Sequence, residues 1–477
     1  MRVERPSSPE RVPPSGVEGA GVSWDAAAPA AGAGSADVAL LTDLYELTML
    51  QAYWREGMDA EAVFSLHVRK LPSTRNYLLA CGLDDALRYL EALRFTRPGL
   101  DYLGTLGLFR DDFLGWLERL RFTGDVYAVP EGTPVFAPEP LLEVAAPLAE
   151  AQLAETVVMN RIHFQTVLAT KAARVVHAAA GRPIVDFALR RMPGIDAGVT
   201  GARAFYIAGI ASTSDVLAGA RYGIPVAGTM AHSYIQAHDD ELEAFRRFAE
   251  LYPETTLLVD TYDTVRGVEL VIRLAAELGD AFRVRAVRLD SGDLGELARR
   301  SRRLLDDAGL TGVRIFASGG LDEHEIAALV EAGAPIDAFG VGTRMGVSSD
   351  APALDMAYKL TEYAGRGRTK LSPGKLVYPG RKQIFRVEEG GRAVRDVLGR
   401  AGERLPGRPL LRPVMRRGEA LAEGRTDLEA ARRLAREELS RLPERVLGLG
   451  PAAPPYPVEI SERLLAEQAA LEREHES

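Results

Sequence analysis

The pattern of hydrophobic and polar residues changes twice along the 477-residue chain. From 37 to 150, apolar residues at helical spacing are mixed with short alternating runs such as AVFSLHVRKLP at 62–72, a mixture typical of an α+β domain. From 151 to 365, apolar runs of strand length alternate with amphipathic helical segments. Beyond this point, from 366 to 477, short strand-like runs and charged helical segments predict a return to the first domain.

The segment from 151 to 365 predicts a parallel sheet, because strands that alternate with helices require crossover connections of one hand. Six or seven such units indicate an irregular or incomplete (β/α) barrel. No G-x-G-x-x-G follows a strand, which disfavours a dinucleotide-binding sheet. The predicted fold class is therefore α/β plus α+β, with the α+β domain formed from the N-terminal segment and the segment after the barrel. We expect barrel strands at 183–189, 208–213, 224–229, 255–260, 284–290, 313–319 and 336–342.

Composition narrows the class of protein further. Residues 1–36 are rich in Pro, Ala, Gly and Ser and lack the apolar region of a signal peptide, so we expect a disordered tail. The single cysteine, Cys81, excludes an intramolecular disulfide. A net charge of −9 argues against a nucleic-acid partner, and no run approaches the ~20 apolar residues of a membrane span. We therefore expect a cytoplasmic protein without a nucleic-acid or membrane partner.

Each predicted strand of the barrel ends in chemically specific residues. Because β/α barrels collect their catalytic groups at the carboxyl ends of the strands, we expect these residues to share one rim. In chain order the groups are Asp186–Arg191, Gly228–Ser233, Asp260–Asp263, Arg288–Asp293, Ser318–Gly320 and Gly340–Thr343.

Two glycine-containing turns on this rim, at 318–320 and 340–343, are typical of phosphate cradles, because glycine lets backbone N–H groups approach an anion. The same glycines would also serve simple tight turns between strand and helix. Asp260 and Asp290 suit a ribose diol or hydrated Mg²⁺. Asp293 precedes a helical segment and is better explained as its cap.

His232, within GTMAHS at 228–233, is chemically suited to several roles. Most strand-end histidines are structural, and that would be the commoner role for an isolated one. Here the residue shares a rim with arginine and phosphate-type turns, so it could act as a base, a phosphate ligand or a phosphorylated nucleophile. The spacing of the sequence does not choose among these three.

Seven motifs in this order resemble those of nicotinate phosphoribosyltransferases, the type II phosphoribosyltransferases of NAD salvage. The resemblance extends from about 40 to about 387 of this chain. It implies that nicotinate and 5-phosphoribosyl 1-pyrophosphate give nicotinate mononucleotide and pyrophosphate, with coupled ATP hydrolysis and with Mg²⁺ on the pyrophosphate. The motifs are TDLYELTM (42–49), DFALRR (186–191), STSD (212–215), GTMAHS (228–233), VRLDSGD (287–293), ASGGLDE (317–323) and DAFGVGTRM (337–345).

The resemblance also implies roles for individual residues. His232 would be phosphorylated by ATP, and Arg288 and Asp290 would hold the ribosyl donor, so that these three form the expected catalytic set. From the chemistry of carboxylates, and not from the resemblance, we expect Asp260 and Asp290 to hold Mg²⁺, in part through water. The substrate-binding residues that it implies are Phe187 and Arg190 around the pyridine ring, Ser214 near the carboxylate, Asp260 near the ribosyl donor, Gly319, Gly320, Gly342 and Thr343 around its 5-phosphate, and Tyr45 and Arg69 from the other subunit of a homodimer.

Other substrates and another reaction class remain as alternatives at this point. The same fold could act on nicotinamide or quinolinate. In the nicotinamide-using relatives the position of Ser214 is an aspartate, and a shift of the alignment by one residue would place Asp215 there. Ser214 could also simply cap the next helix. A phosphosugar lyase or aldolase barrel is disfavoured, because no predicted strand ends in a lysine suited to a Schiff base.

Overall fold

The computed structural model describes residues 38–371, 377–425 and 427–476. The predicted tail at 1–36 lies outside these ranges. Among the helices of the described ranges, none is long and apolar enough to cross a membrane. The two largest sheets are a seven-stranded sheet built from both ends of the chain and a six-stranded parallel sheet built from its middle.

The N-terminal part, up to the long helix that leads into the parallel sheet, mixes helices and short strands. Its strands are β1 (Glu61–Lys70), β2 (Leu78–Leu79), β3 (Asp125–Ala128), β4 (Pro134–Val135) and β5 (Pro140–Pro147). Its helices are α1 (Leu44–Glu56), α2 (Leu83–Ala92), α3 (Arg97–Thr105), α4 (Asp111–Leu117), α5 (Leu148–Leu153) and α6 (Glu155–Ala178).

The middle of the chain alternates strands with helices, as the sequence predicts. The strands are β6 (Ile184–Asp186), β7 (Ser212–Thr213), β8 (Thr256–Leu258), β9 (Ala286–Leu289), β10 (Arg314–Ala317) and β11 (Ala338–Val341). The helices are α7 (Ile195–Ala208), α8 (Val216–Tyr222), α9 (His232–Gln236), α10 (Glu241–Leu251), α11 (Thr264–Leu278), α12 (Leu294–Asp307), α13 (Glu323–Glu331) and α14 (Thr343–Gly346).

The six strands form a parallel sheet in the order β7-β6-β11-β10-β9-β8. The segment around Val226 lies next to β7, where it makes a single parallel bridge to Thr213 of that strand. The predicted strand at 224–229 is therefore wrong beyond that bridge: Pro225 has no N–H to donate to a sheet ladder. In the described part of the chain, no pairing joins the Val226 segment to β8. The sheet is thus an incomplete barrel, and the predicted fold class is confirmed.

After the barrel, the chain returns to the first domain and adds strands to it. The strands are β12 (Asp355–Tyr363), β13 (Arg366–Gly367), β14 (Lys382–Glu389), β15 (Arg392–Arg400), β16 (Arg408–Pro409), β17 (Arg412–Arg416), β18 (Glu419–Ala420) and β19 (Val458–Ile460). The helices are α15 (Leu428–Arg441), α16 (Glu444–Leu447) and α17 (Glu462–Glu476).

The seven-stranded sheet has the order β13-β12-β1-β5-β3-β17-β18. Its strand β12 pairs antiparallel with β1, from Ala62 opposite Tyr363 to Lys70 opposite Asp355. The boundary predicted at 366 is therefore too late, since the chain has already rejoined the first domain at Asp355. The chain rejoins the first domain this early because β12 is itself a strand of the N-terminal sheet. Its side chains pack beside those of β1, as the stacked Phe64 and Tyr358 rings show with centroids 5.0 Å apart.

Candidate active site

Arg288, at the end of β9, organises the carboxyl edge of the parallel sheet. Its guanidinium donates to Asp290 Oδ1 at 2.6 Å, to Ser318 Oγ at 2.8 Å and to Thr229 Oγ1 at 2.9 Å. The cation also lies over the Phe187 ring, 5.1 Å from its centroid. One side chain therefore connects four of the predicted strand ends, and the expectation of a common rim is met for these residues.

Two carboxylates lie next to this guanidinium. Asp260 Oδ2 accepts hydrogen bonds from the backbone N–H of Asp290 at 3.0 Å and from Ser291 Oγ at 2.7 Å. Burial alone would raise the pKa of Asp290, but the hydrogen bond from Ser318 and the charge of Arg288 outweigh it and hold the pKa below its ordinary value. Asp290 is therefore a carboxylate at neutral pH.

The glycine turn after β10 has the geometry of an anion cradle. Gly319 has φ +94°, and a Cβ atom there would lie 1.8 Å from the carbonyl oxygen of Asp290, so only glycine fits. The neighbouring Gly320 has φ +66° and open space around its Cα. Both backbone N–H groups are exposed and without hydrogen-bond partners within the described ranges, so they can receive a phosphate oxygen.

The second glycine turn, after β11, lies beside the first. Arg344 follows Gly342 and Thr343, and its guanidinium donates to Asp322 Oδ2, just beyond the first turn, at 2.9 Å. Asp322 accepts from the backbone N–H groups of His324 and Glu325 and so caps α13. Because this cap already occupies the start of α13, a phosphate would be held by the glycine turns themselves.

His232 stands at the start of α9, facing the carboxylates. Its Nδ1 is 3.1 Å from Thr261 Oγ1, and its Nε2 is 3.8 Å from Asp290 Oδ2. The side chain keeps 40% of its surface exposed, so a ligand can reach the ring. This exposure is compatible with a role in binding or catalysis, and the three roles that the sequence leaves open remain open here.

Phe187, which is predicted to line a pyridine pocket, lies beneath the Arg288 guanidinium. The Phe187 ring packs against Phe316 with centroids 6.0 Å apart, and Gly340 leaves room for it, since a Cβ at Gly340 would be 2.5 Å from the ring. Arg190 lies in an exposed 3-10 turn, Leu189–Arg191. Within the described residues its side chain has no hydrogen bond or ion pair, so its charge is available to a ligand.

Ser214 follows β7 and donates its backbone N–H to the carbonyl of Asp186 at 2.9 Å. It does not cap the next helix, because Asp215 does so by accepting from the N–H of Ala218 at 3.0 Å. Asp215 is itself buried. Of the two residues that the sequence left as alternatives, Ser214 is the one that does not cap the helix, while Asp215 uses Oδ1 for the cap and leaves its buried Oδ2 without a hydrogen-bond partner among the described residues. The predicted cap at Asp293 is confirmed, since its carboxylate accepts from Glu296 N–H at 3.0 Å.

Asp186, which opens the DFALRR motif, was expected on the rim but was given no role of its own. Its carboxylate accepts from Ala188 N–H at 2.8 Å and from Thr213 Oγ1 at 2.7 Å, so it ties the loops after β6 and β7 together. Burial raises the pKa of Asp186 to about 6. A buried carboxylate at a strand end was the signal that could have identified it.

Tyr45 and Arg69 lie away from this rim, in the N-terminal domain. Tyr45 is on α1, where burial and then the neighbouring Glu155 and Glu46 carboxylates raise its pKa. Arg69 is on β1, and its guanidinium is 3.6 Å from Asp355. Across the described part of the chain, neither side chain has a hydrogen bond or ion pair with a rim residue.

The rim carboxylates fit a partly hydrated cation better than a metal caged by protein. Within the described ranges, no three His, Cys, Asp or Glu side chains converge on one point. Asp260 Oδ1, however, is buried and has no hydrogen-bond partner there. An unpartnered carboxylate oxygen beside a phosphate cradle suits Mg²⁺, which takes one or two carboxylates together with phosphate oxygens and water.

A buried ionic network lies beneath the two glycine turns. Lys171 of α6 is 2.5 Å from Glu323, which follows the first turn, and 2.7 Å from Asp350, which follows the second. Arg174 and Arg75 complete the network at 3.0 Å from Glu323 and 2.6 Å from Asp350. Three cations against two carboxylates leave a positive charge under turns that are built for an anion.

Comparisons with known proteins agree with this geometry. Residues 40–163 match the model of the nicotinate phosphoribosyltransferase N-terminal domain, and 168–359 match that of the quinolinate phosphoribosyl transferase C-terminal domain. A nicotinate phosphoribosyltransferase of Mycobacterium tuberculosis (strain H37Rv) is 57% identical over 433 residues, covering 91% of this chain and 94% of that protein. The chain belongs to the nicotinate phosphoribosyltransferase family.

Other members and structures of this family are similar over most of their length. A nicotinate phosphoribosyltransferase of Bacillus subtilis (strain 168) is 43% identical, with 73% of each chain covered. The crystal structure of human nicotinic acid phosphoribosyltransferase superposes with a TM-score of 0.81 at 30% identity, covering 90% of this chain and 99% of that one. A nicotinate-nucleotide pyrophosphorylase from Pyrococcus furiosus gives a TM-score of 0.71 at 27% identity, covering 87% and 99%. Membership of this family excludes the lyase or aldolase alternative.

Replacing Asp186 by Asn should change the pH dependence of stability. In the folded protein the pKa of Asp186 is about 6, which is above the ~3.9 of an unfolded aspartate. The folded state therefore favours the neutral acid. The stability that this acid contributes is complete below pH ~4 and is lost as the pH rises to about 6. We expect the wild type to lose about 2–3 kcal/mol relative to Asp186→Asn across that interval. Urea unfolding of both proteins at a series of pH values measures this, and parallel pH profiles would contradict it.

Proposed function

We propose that the protein transfers the phosphoribosyl group of 5-phosphoribosyl 1-pyrophosphate to nicotinate in the cytoplasm, forming nicotinate mononucleotide and pyrophosphate, with ATP hydrolysis coupled to turnover. The observation that carries the proposal is the cluster of Arg288, Asp290 and His232 beside the Gly319 turn. The relatives support the proposal as well, because the similar proteins of M. tuberculosis and B. subtilis carry the name nicotinate phosphoribosyltransferase.

The transfer needs three kinds of contact at once. Loss of pyrophosphate from the anomeric carbon gives the ribose oxocarbenium character, so carboxylates such as Asp290 stabilise it electrostatically. The glycine turns hold the 5-phosphate and fix the sugar, while Arg288 neutralises the departing polyanion. The pyridine ring would pack on Phe187, with its nitrogen directed at the sugar and Arg190 near its carboxylate.

Mg²⁺ is the proposed metal. Asp260, through its unpartnered Oδ1, and Asp290 would hold it, directly or through water. When bound, the ion would supply charge neutralisation to the pyrophosphate group. The two carboxylates would then contact both the metal and the ribose, the two ligands that the sequence left as alternatives for them.

For coupling to ATP, we propose His232 as the phosphorylated residue. Thr261 Oγ1 fixes Nδ1, so a proton on Nδ1 leaves the Nε2 lone pair free to attack the γ-phosphorus of ATP. The bond that forms is N–P, and the bond that breaks joins the γ-phosphorus to the β–γ bridging oxygen, which leaves with ADP. In this tautomer Nε2 carries no proton for Asp290, 3.8 Å away, so the ring is positioned by Thr261.

Incubation with ATP labelled at the γ-phosphate should place an acid-labile, base-stable phosphoryl group on Nε2 of His232. His232→Ala should lose the label and the stimulation of turnover by ATP. His238→Ala is the matched control. That ring lies just after α9 and donates from Nδ1 to the Tyr234 carbonyl oxygen at 2.9 Å, so its loss should leave labelling unchanged. Label retained in His232→Ala would contradict the assignment.

Pyrophosphate release tests the transfer itself. With 5-phosphoribosyl 1-pyrophosphate and Mg²⁺ present, the wild type should release pyrophosphate with nicotinate far faster than with nicotinamide or quinolinate. A preference for either of these substrates would replace the proposed one while leaving the family assignment intact.

A homodimer with shared active sites would explain the position of Tyr45 and Arg69. Leu41, Leu44 and Tyr45, at and before the start of α1, are 46–52% exposed. Apolar side chains near the rim are exposed as well, with Ile195 at 77% and Val216 at 72%. Such exposed apolar surfaces are typical of sites that another chain covers. We propose that α1 and β1 of one subunit complete the rim of the other.

Complementation between inactive variants tests this arrangement. A Tyr45→Ala/Arg69→Ala protein and an Arg190→Ala/His232→Ala protein should each be inactive alone. If the site is shared, each mixed dimer holds one intact site, and random exchange of equal amounts should restore about a quarter of wild-type activity. Subunit exchange is checked by native mass spectrometry. Complete exchange without any recovery of activity would show that each site belongs to one chain.

Ser214 is the proposed determinant of acid over amide. Its hydroxyl has no hydrogen-bond partner among the described residues, so it can donate to a substrate carboxylate. An aspartate at that place would put a like charge ~4 Å from the carboxylate, which costs about 4 kcal/mol at an effective dielectric near 20. Asp215 is buried and caps α8 through its Oδ1, so the proposal assigns the contact with the substrate carboxylate to Ser214.

Ser214→Asp should therefore lower kcat/KM for nicotinate by about 100-fold or more, with a much smaller effect on nicotinamide. Ser214→Asn is the matched control, since it has a similar size without the charge and should retain the preference for the acid. Steady-state kinetics with both substrates measure the ratio. An unchanged ratio in Ser214→Asp would remove this residue from substrate selection.

A further inference from the structure

A second cavity lies outside the site described above. Its volume is about 410 Å³, and it is enclosed by the second half of α6, the end of α7, and the helices α15 and α16. Gly209, which lines it, directly precedes the short run that leads into the amino end of β7. The rim residues lie at the opposite, carboxyl ends of the strands. The cavity and the active site are therefore on opposite ends of the parallel sheet.

One wall of this cavity is cationic. Arg432, Arg433 and Arg436, all on α15, line it. The guanidinium of Arg432 already has partners within the protein. It donates to the carbonyl groups of Gly209 and Ile210, and it lies 4.2 Å from the centroid of the Tyr206 ring. Its neighbours Arg433 and Arg436 are exposed to solvent where they line the cavity, and they have no ion pair or hydrogen bond within the described ranges, in a chain whose net charge is −9.

The acidic group of the cavity does not neutralise these arginines. Glu429 lines the same space, but its carboxylate accepts the hydroxyl hydrogen of Tyr206. Burial lowers the pKa of Arg432, and the nearby Arg436 adds to this, whereas Tyr206 and Glu429 act in the opposite direction. Glu429 therefore offsets part of the charge of Arg432, and Arg433 and Arg436 are the two cations of the wall that have no ion pair among the described residues.

The opposite wall is mostly apolar, and it also carries His177 and the unpartnered hydroxyl of a tyrosine. Ala173, Val176, Ile207 and Leu447 present hydrocarbon surface to the cavity. Tyr77 also lines it and is 2% exposed, and its buried hydroxyl has no hydrogen-bond partner among the described residues. A buried hydroxyl normally makes a hydrogen bond, so the lack of one at Tyr77 indicates room for a polar group of a ligand.

We propose that this cavity is a binding site for a small organic anion, with a phosphate or carboxylate group on Arg433 and Arg436 and a flat apolar body against α6 and α7. The volume lies within the range of ligand sites, and the combination of an apolar floor with a few convergent polar groups is what such sites share. Arginine pairs suit oxyanions because their donors are matched to two oxygens at once. The proposal is independent of the reaction at the rim.

The probe for this site is 8-anilinonaphthalene-1-sulfonate, an aromatic anion whose fluorescence rises in apolar surroundings. The full-length protein should bind it at one saturable site. Arg433→Glu/Arg436→Glu should weaken binding at least tenfold, whereas Arg433→Lys/Arg436→Lys, which keeps the charge, should retain most of it. Arg300→Glu/Arg404→Glu is the matched control, because it makes the same change in net charge at exposed positions away from the cavity and should bind normally.

Competition then identifies the acid group that the site accepts. Displacement of the probe by adenosine 5′-monophosphate or by benzoate supports the site and assigns it to phosphate or to carboxylate ligands. The Arg433→Glu/Arg436→Glu variant should keep the melting temperature and the basal turnover of the wild type, since neither arginine belongs to the rim. Equal probe binding by this variant and the wild type, or displacement by neither competitor, would overturn the proposal.

Discussion

The guanidinium of Arg288 is the interaction on which the rim depends. It donates to the loops after three strand positions, through Thr229, Asp290 and Ser318, and covers the Phe187 ring of a fourth. A planar donor with several N–H groups can make these contacts together, whereas an ammonium group is a single point charge. The carboxylate of Asp290 is thereby charged and fixed, and it in turn lies opposite His232. In the proposed mechanism, this one side chain links the position of the substrate, the charge of Asp290 and the proposed nucleophile.

The incomplete barrel places positive charge locally, so that a chain with a net charge of −9 can bind polyanions. Positive charge is collected at the rim by Arg288 and beneath the glycine turns by the network of Lys171, Arg174 and Arg75. That network also connects α6 to the segments after β10 and β11, so the turns have a rigid support. The cavity on the other side of α6 is a second concentration of charge, and we assign it a different ligand because it opens at the far end of the sheet.

Sequence patterns predicted most of the architecture because buried parallel strands and amphipathic helices have distinct periods. Six of the seven expected barrel strands are present, and the strand-end groups around Arg288 meet as expected. The boundary at 366 was wrong, because alternation identifies a strand such as β12 but not the sheet that it joins. Asp186 was given no role of its own because its importance comes from burial and from a bond to Thr213, a residue in another loop. The cavity under α15 was also invisible to the sequence, since its walls come from segments far apart in the chain.

The kinetics of Arg288→Lys test the account most directly. Lysine keeps the positive charge but cannot bridge Thr229, Asp290 and Ser318 together. The account predicts that kcat/KM for 5-phosphoribosyl 1-pyrophosphate, measured by nicotinate-dependent pyrophosphate release, falls by about 100-fold or more while the melting temperature stays close to that of the wild type. A lysine variant with nearly normal kcat/KM would show that charge alone suffices at this position, and would contradict the claim that the arginine organises the rim.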